Sequence, residues 1–423
     1  MNGNSDTKEG QAVIAKISEP VAPPELRRGA AATTRTAVRL MSLDAYRGFV
    51  MLLMISAGLY ASRVAKNFPD SAVWQFFGYQ TDHAAWRGCT LWDLIQPSFM
   101  FMVGVAIPFS IANRKAAGQP FTKLFLHTLW RGLALTLLGV FLSSTGNKQT
   151  DWNFVIVLSQ IGLGYPFLWL LAWTKPRTQM IAAAVILVAY WAAFALYPLP
   201  PADFNWSKVG VPADWQHFQG FAGHWDKNSN VAAAFDQWFL NLFPRAKPFE
   251  FNAGGYQTLN FIPSLATMIF GLLAGGLLRS ERRGSEKFWI LIACGLAGLA
   301  LGFLLDLSGI CPNVKRIWTP TFAIFSTGWT CLMLATFYGI IELRGCRRWA
   351  FPLMVAGMNS IALYCMSMLM KPWVRERLKL HTRQDIFEVF GTIYAPMVEM
   401  ASILLVLWLI SFWMYRRKIF LRI

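Results

Sequence analysis

Charge is what this sequence has least of: Asp, Glu, Lys and Arg make up 14% of its 423 residues, against roughly 25% in an ordinary soluble chain. With 55% hydrophobic residues beside that scarcity, a soluble globular fold is excluded. Acidic residues are the rarer sign, 22 against 39 basic ones, for a formal charge of +17. The six cysteines show no metal-ligand spacing, so no metal site is expected. Only Cys89 and Cys311 fall on the outer side of the topology drawn below, and nothing further supports a disulfide between them. No cleavable leader is legible in the polar, mixed first 38 residues, which are expected to be a disordered cytoplasmic tail (1–38) ahead of one membrane domain (39–423). No internal repeat of the kind that builds many secondary transporters is visible.

What is present is a succession of apolar runs. A hydrocarbon core about 30 Å thick needs roughly 20 apolar residues at about 1.5 Å rise. Only a helix satisfies its own backbone in lipid without closing a barrel. The expected fold is therefore all-α, a polytopic bundle of about ten membrane-spanning helices. The spans are placed at 43–61, 91–112, 124–142, 154–173, 180–197, 259–278, 288–307, 320–341, 351–370 and 393–415. Every second connection is basic: Arg114, Lys115 and Lys123; Lys175 and Arg177; Arg279, Arg282, Arg283 and Lys287; Arg344, Arg347 and Arg348; and Arg416, Arg417, Lys418 and Arg422. The positive-inside bias makes this the cytoplasmic side and puts both termini there. The net charge is then a matter of topology and calls for no nucleic acid. One long outer loop, 198–257, carries Trp206, Trp215, Trp225 and Trp238; these either stack on sugar rings or anchor at the headgroup level.

Ionisable groups at membrane depth need a reason, since a centred charge costs at least about 2.5 kcal/mol. Asp44 and Arg47, three apart at the start of the first span, share a helix face and serve either as an interface pair or as ligand contacts. His83 lies in the outer hairpin before the second span, followed by Trp86, Gly88, Thr90 and Asp93. A histidine there can move protons near neutral pH, although an exposed loop histidine ordinarily does nothing. Thr90 and Asp93 also have the spacing of a helix cap with an acidic third position. His127 and Arg131, four apart, stack on one face of the third span and suit an anionic ligand, or snorkel toward lipid phosphates. Gln160, Asn260, Asn359 and Ser360 are neutral polar groups within spans, where bonding between helices is the ordinary role.

Taken in order, the blocks RLMSLDAYRG (39–48), HAAWRGCTLWDLIQPSFMFMVGVAI (83–107), LWRG around Arg131, LSQIGLGY (158–165), TLNFIPSL (258–265), KRIWTPTF (315–322), GMNSIALY (357–364) and YRRKIF (415–420) resemble one family. It is the heparan-alpha-glucosaminide N-acetyltransferase family of transmembrane acyltransferases, especially its shorter bacterial relatives. The resemblance implies transfer of an acetyl group from cytoplasmic acetyl-CoA to an amine or hydroxyl of a saccharide on the far side of the membrane. It implies His83 as the active histidine, with Asp93 orienting it or only capping the helix. Arg47, His127 and Arg131 become candidates for a cationic mouth that holds the phosphates of acetyl-CoA, with Gln160 on the donor path. Asn260, Asn359 and Ser360 are assigned to the acceptor. The resemblance further implies a bacterial inner-membrane location, a cell-envelope glycan as acceptor and lipid as surroundings, and leaves a homodimer open. At one place the chain departs from the family: an asparagine near the outer end of the first conserved span is replaced by Gly58. The alternative reading of the same polar groups is a transporter or flippase of an envelope saccharide or lipid-linked sugar.

Overall fold

The computed structural model describes residues 40–421, so the tail expected at 1–38 lies outside the described residues. Among the described residues the regular elements are helices, with two isolated bridges joining Arg87 and Gly88 to Val314. In chain order the helices are α1 (Met41–Ile55), α2 (Ala61–Ala65), α3 (Ala72–Gln80), α4 (Ile95–Ala116), α5 (Phe121–Ser143), α6 (Val157–Leu171), α7 (Pro176–Ala195) and α8 (Val231–Phe239). They continue with α9 (Phe261–Arg279), α10 (Gly284–Leu307), α11 (Pro320–Tyr338), α12 (Phe351–Met358), α13 (Ser360–Leu369), α14 (Lys371–His381) and α15 (Ala395–Arg416).

Among the described residues seven helices are long and apolar enough to cross a membrane: α4, α5, α7, α9, α10, α11 and α15. Two bent pairs raise the number to as many as nine. The chain is thus an all-α polytopic membrane bundle. Its outward faces are apolar, as lipid requires: Leu126, Trp130, Leu133, Leu137 and Phe141 form one exposed stripe on α5.

Three expected spans differ from plain helices, each for a local reason. The segment expected at 154–173 contains only the 15-residue α6, about 22 Å long and shorter than the hydrocarbon core. The segment expected at 43–61 bends by 40° after α1. There Ala57, Gly58, Leu59 and Tyr60 take φ of 46°, 59°, 53° and 50°, a left-handed turn that costs roughly 1–2 kcal/mol for each non-glycine residue. The segment expected at 351–370 breaks by 67° at Asn359, whose side chain is occupied with the backbone of Ile419 and Leu421.

Glycines let the inner helices approach backbone to backbone. A Cβ on Gly104 of α4 would sit 1.9 Å from the Met268 carbonyl oxygen of α9, and one on Gly271 of α9 would sit 2.0 Å from that of Phe101. Such small-residue contacts replace the hydrophobic driving force that lipid removes. The α4 helix also sets the polarity of the bundle. Asp93 precedes its start and Arg114 and Lys115 close it, so its 22 residues separate them by about 33 Å. We refer to these as the His83 end and the basic end.

The long loop 198–257 is ordered and packs over the His83 end. Trp225 is fully buried, and its carbonyl accepts from the Trp86 indole at 3.1 Å. Together with Tyr190, Phe194, Cys311, Val314 and Ile317 these rings make a second core. Trp225 therefore serves packing, whereas Trp238 is 62% exposed. Cys89 and Cys311 are both free thiols.

Candidate active site

The hairpin ahead of α4 holds its shape through Thr90 and Asp93. The Asp93 N–H donates to Thr90 Oγ1 at 3.3 Å, and Asp93 Oδ2 accepts from the Thr90 N–H at 3.1 Å, a reciprocal cap. The same Oδ2 accepts the Ala84 N–H at 3.1 Å, which folds the hairpin back over the carboxylate. The Thr90 hydroxyl donates to the Asp82 carbonyl at 2.7 Å.

The other carboxylate oxygen faces the chemistry. Asp93 Oδ1 lies 2.7 Å from His83 Nδ1 and 3.4 Å from Lys315 Nζ, and Lys315 Nζ is 3.1 Å from His83 Nδ1. Asp93 and Lys315 are buried, with side chains 1% and 7% exposed, while His83 is 32% exposed. The distances select a tautomer. A lone pair on Nδ1 would face a carboxylate oxygen at 2.7 Å, so the proton sits on Nδ1 and donates to Asp93. Lys315 then pairs with the carboxylate, and Nε2 keeps its lone pair. Among the described residues Nε2 has no hydrogen-bond partner. Trp92 and Tyr256 stand edge-on to the imidazole, each with its centroid 6.4 Å away.

Lys315 reaches this place through tertiary contacts alone. Gly88 N–H donates to the Asn313 carbonyl at 2.8 Å, and Arg87 grips both carboxylate oxygens of Asp306 at 3.0 and 3.2 Å. These bonds tie the His83 hairpin to the connection between α10 and α11. The sequence reading includes Lys315 only inside a motif; its one local signal is a lysine at the start of that block, far from any basic-side cluster.

Gly58, where the resemblance would put an asparagine, is pressed against the same hairpin. A Cβ there would lie 2.5 Å from the Thr81 Cβ, and its φ of 59° is left-handed. A larger side chain has no room in this arrangement.

Of the other candidates, Asn260 bonds beside the cluster, donating from Nδ2 to the carbonyl of Arg316, the residue after Lys315, at 2.8 Å. Gln160 lies near it: its Nε2 donates to the carbonyls of Phe154 and Thr258 at 2.7 and 3.1 Å. Asp236 joins this group by accepting the Thr258 N–H at 2.9 Å, and burial pushes its carboxyl up to about 6. Gln160 Oε1, Asp236 Oδ1, Thr258 Oγ1 and Asn260 Oδ1 are buried without partners.

Arg47 and Asn359 lie elsewhere. The Arg47 guanidinium pairs with Asp44 at 3.3 Å near the start of α1. Gly357, two residues before Asn359, packs there against the Asp44 carbonyl. The 15-residue α1 puts about 22 Å between that end and the Gly58 turn. Ser360 follows Asn359 at the bend. Arg131 sits ten residues into α5, near mid-helix, with His127 one turn before it. Its Nη1 donates to the Tyr165 hydroxyl at 3.1 Å and its Cζ lies 4.9 Å from that ring, while Nε is buried without a partner. Among the described residues no group of three or more His, Cys, Asp or Glu could hold a metal ion.

No protein-family model matches the chain. In an alignment 426 positions long that covers 91% of its length, it is 22% identical to the human (Homo sapiens) heparan-alpha-glucosaminide N-acetyltransferase. In an alignment 443 positions long that covers 95% of its length, it is 23% identical to the mouse (Mus musculus) protein of the same name. The chain spans 60% and 62% of the length of these curated relatives. The matches run nearly end to end of this chain and support the family assignment that the motif order suggests.

Proposed function

We propose, taking membership of the heparan-alpha-glucosaminide N-acetyltransferase family as the premise, that the chain is a membrane-embedded acetyltransferase. Its donor is acetyl-CoA entering from the basic, cytoplasmic end. Its acceptor is an amine or hydroxyl of a saccharide at the His83 end, on the outer side of a bacterial inner membrane, where a cell-envelope glycan is the reading favoured. The observation that carries this is the His83–Asp93–Lys315 cluster, in which Nδ1 faces the buried carboxylate and Nε2 is left without a partner among the described residues.

Two routes use that nitrogen. In the direct route Nε2 takes a proton from the acceptor as its nitrogen or oxygen attacks the thioester carbonyl; the coenzyme thiolate leaves and the imidazolium returns the proton to it. In the stepwise route Nε2 attacks the thioester carbonyl and expels the coenzyme thiolate, and the acetyl-imidazolium then passes its acetyl group to the acceptor, whose lost proton leaves with the thiolate as free coenzyme thiol. Both put positive charge on the imidazole, and Asp93 is placed to stabilise it. Lys315 keeps that carboxylate ionised and oriented, which makes it a positioning residue.

The donor has to pass through the bundle to reach Nε2, and the polar groups found at depth suit that path. Arg131 offers an unpartnered buried Nε at mid-helix, matched to a phosphate oxygen or an amide carbonyl of the pantetheine arm. Gln160 and Asn260 lie between that depth and His83 and present acceptors to hydroxyl or amine hydrogens. Arg47 belongs to the entry end, and Asn359 and Ser360 lie there too, away from the acceptor.

The deciding experiment is turnover of acetyl-CoA by purified protein in detergent, with a panel of amino sugars as acceptors. His83→Ala should fold and be inactive; full activity would remove the mechanism. The same unpartnered oxygens near Thr258 favour a second reading, a saccharide transporter or flippase. Uptake into liposomes that persists in His83→Ala and ignores acetyl-CoA would establish that one instead.

A further inference from the structure

Lys315, Arg316 and Lys227 gather around Tyr256 and Gly255, and the Tyr256 ring is edge-on to His83. Lys315 pairs with Asp93. Arg316, the next residue, donates from Nη1 to the Gly254 carbonyl at 2.7 Å and keeps Nε buried without a partner. Lys227 comes from the long loop, 6% exposed, with Nζ 4.7 Å from the centroid of the Trp215 ring. Among the described residues no carboxylate forms an ion pair with Lys227 or Arg316. The nearest in sequence, Asp226, gives Oδ2 to His217 at 2.9 Å and keeps Oδ1 buried without a partner.

Tyr256 joins these cations to the imidazole. Its ring lies 6.4 Å from His83, 5.6 Å from Lys315 Nζ and 5.5 Å from the Arg316 Cζ. Gly255 beside it is held against Trp86 and the Lys227 stem, where a Cβ would come within 2.6 Å of the indole and 3.3 Å of the lysine. The loop is therefore locked with its lysine beside Arg316. Burial, and then the Arg316 charge, hold the Lys227 amine below its ordinary value. Around this face the buried atoms without partners include two donors, Arg316 Nε and Trp215 Nε1, beside the acceptors Asp226 Oδ1 and Gln257 Oε1. Two uncompensated cations kept side by side at the mouth of a site are costly unless an anion arrives.

We propose that Lys227 and Arg316 form an oxyanion subsite beside His83, taking a carboxylate, sulfate or phosphate group carried by a reactant. Which reactant carries it rests on the transferase reading above; that an oxyanion binds does not. The acceptor saccharide is the favoured source, because the subsite is built from the outer loop and lies at the end of the bundle away from the basic mouth. The coenzyme phosphates are the other source of the same chemistry.

The test has two arms on the full chain in detergent. In the first, sodium sulfate is titrated against sodium chloride at matched ionic strength and thermal stability is followed. Wild type should show a saturable rise with sulfate that Lys227→Met and Arg316→Gln lose and Lys227→Arg keeps. A response that never saturates, or that both charge-removing variants share with wild type, overturns the subsite. Each variant is first checked for a single folded species in chloride, and the two substitutions lie on different segments, so one failing to fold leaves the other to decide. In the second arm, KM is compared for glucosamine and glucosamine 6-phosphate, and for acetyl-CoA and S-acetylpantetheine. A preference of tenfold or more for the phosphorylated sugar that collapses in the variants supports the subsite and places the oxyanion on the acceptor. A collapse of the preference for acetyl-CoA supports it and places the oxyanion on the coenzyme. Sulfate binding without turnover of any pair supports the subsite and counts against the transferase reading.

Discussion

Asp93→Asn exchanges one oxygen of a buried carboxylate for an amide nitrogen, and the surroundings decide which. Oδ2 accepts two backbone N–H groups, from Ala84 and Thr90, each at 3.1 Å, so the amide oxygen stays on that side. The NH2 then faces His83 Nδ1 at 2.7 Å and donates to it. The imidazole proton is forced onto Nε2, which removes the base and the nucleophile together. Lys315, 7% exposed, also loses its counter-charge, and a stranded buried cation costs about 3–5 kcal/mol. The expected result is turnover reduced by about 10³-fold or more and a clearly lower thermal midpoint. Adding Lys315→Met removes the stranded cation and should restore about 2 kcal/mol or more of that stability while activity stays absent. Acetyl transfer from acetyl-CoA and thermal unfolding in detergent measure both. A folded Asp93→Asn enzyme within tenfold of wild type would refute the tautomer reasoning. A double variant no more stable than the single one would refute the buried ion pair.

Gly104→Ala should lower the thermal midpoint or abolish folding, because its Cβ would stand 1.9 Å from a carbonyl of α9 and overpacking of that kind costs about 1–3 kcal/mol or more. Gly276→Ala on the same α9, with nothing within 4 Å, is the control and should be neutral. Asp236 titrates in the fold at about 6, above its ordinary 3.8, so the native state holds the extra proton. Stability from this group is complete below about 4 and is lost as pH rises through 6, by about 3 kcal/mol. Asp236→Asn should therefore raise the thermal midpoint at pH 8 and leave it unchanged at pH 4, read from unfolding scans across that range. Arg131→Gln should weaken acetyl-CoA binding by about tenfold or more in calorimetry while leaving acceptor KM within twofold; the opposite pattern would take Arg131 off the donor path.

Much of the bundle is legible in the chain because lipid imposes one rule, a long apolar run with internally bonded backbone, and runs of that kind can be counted. The Thr90–Asp93 spacing was legible for a similar reason: a cap is local, and its two residues sit within one turn. What spacing left open was whether Asp93 caps the helix or orients His83. The fold does both with one residue, since Oδ2 serves the hairpin backbone and Oδ1 faces the imidazole.

Lys315 and Lys227 had no such local signal. Lys315 stands 232 residues from His83, and nothing in its neighbours' periodicity points across that distance. Its place follows from the Arg87–Asp306 grip and the Gly88–Asn313 bond, long-range contacts that form only once α10 and α11 have packed. The left-handed turn at Ala57 to Tyr60 escaped for the same reason, because tertiary contacts hold a backbone that local propensity disfavours. Composition and hydropathy by themselves determined that this is a multi-pass helical membrane protein, and motif order pointed to its resemblance to one family of acetyltransferases. Only the tertiary structure decided which charges meet, since electrostatic partners are chosen by distance in space and sequence encodes distance only along a helix or within a turn.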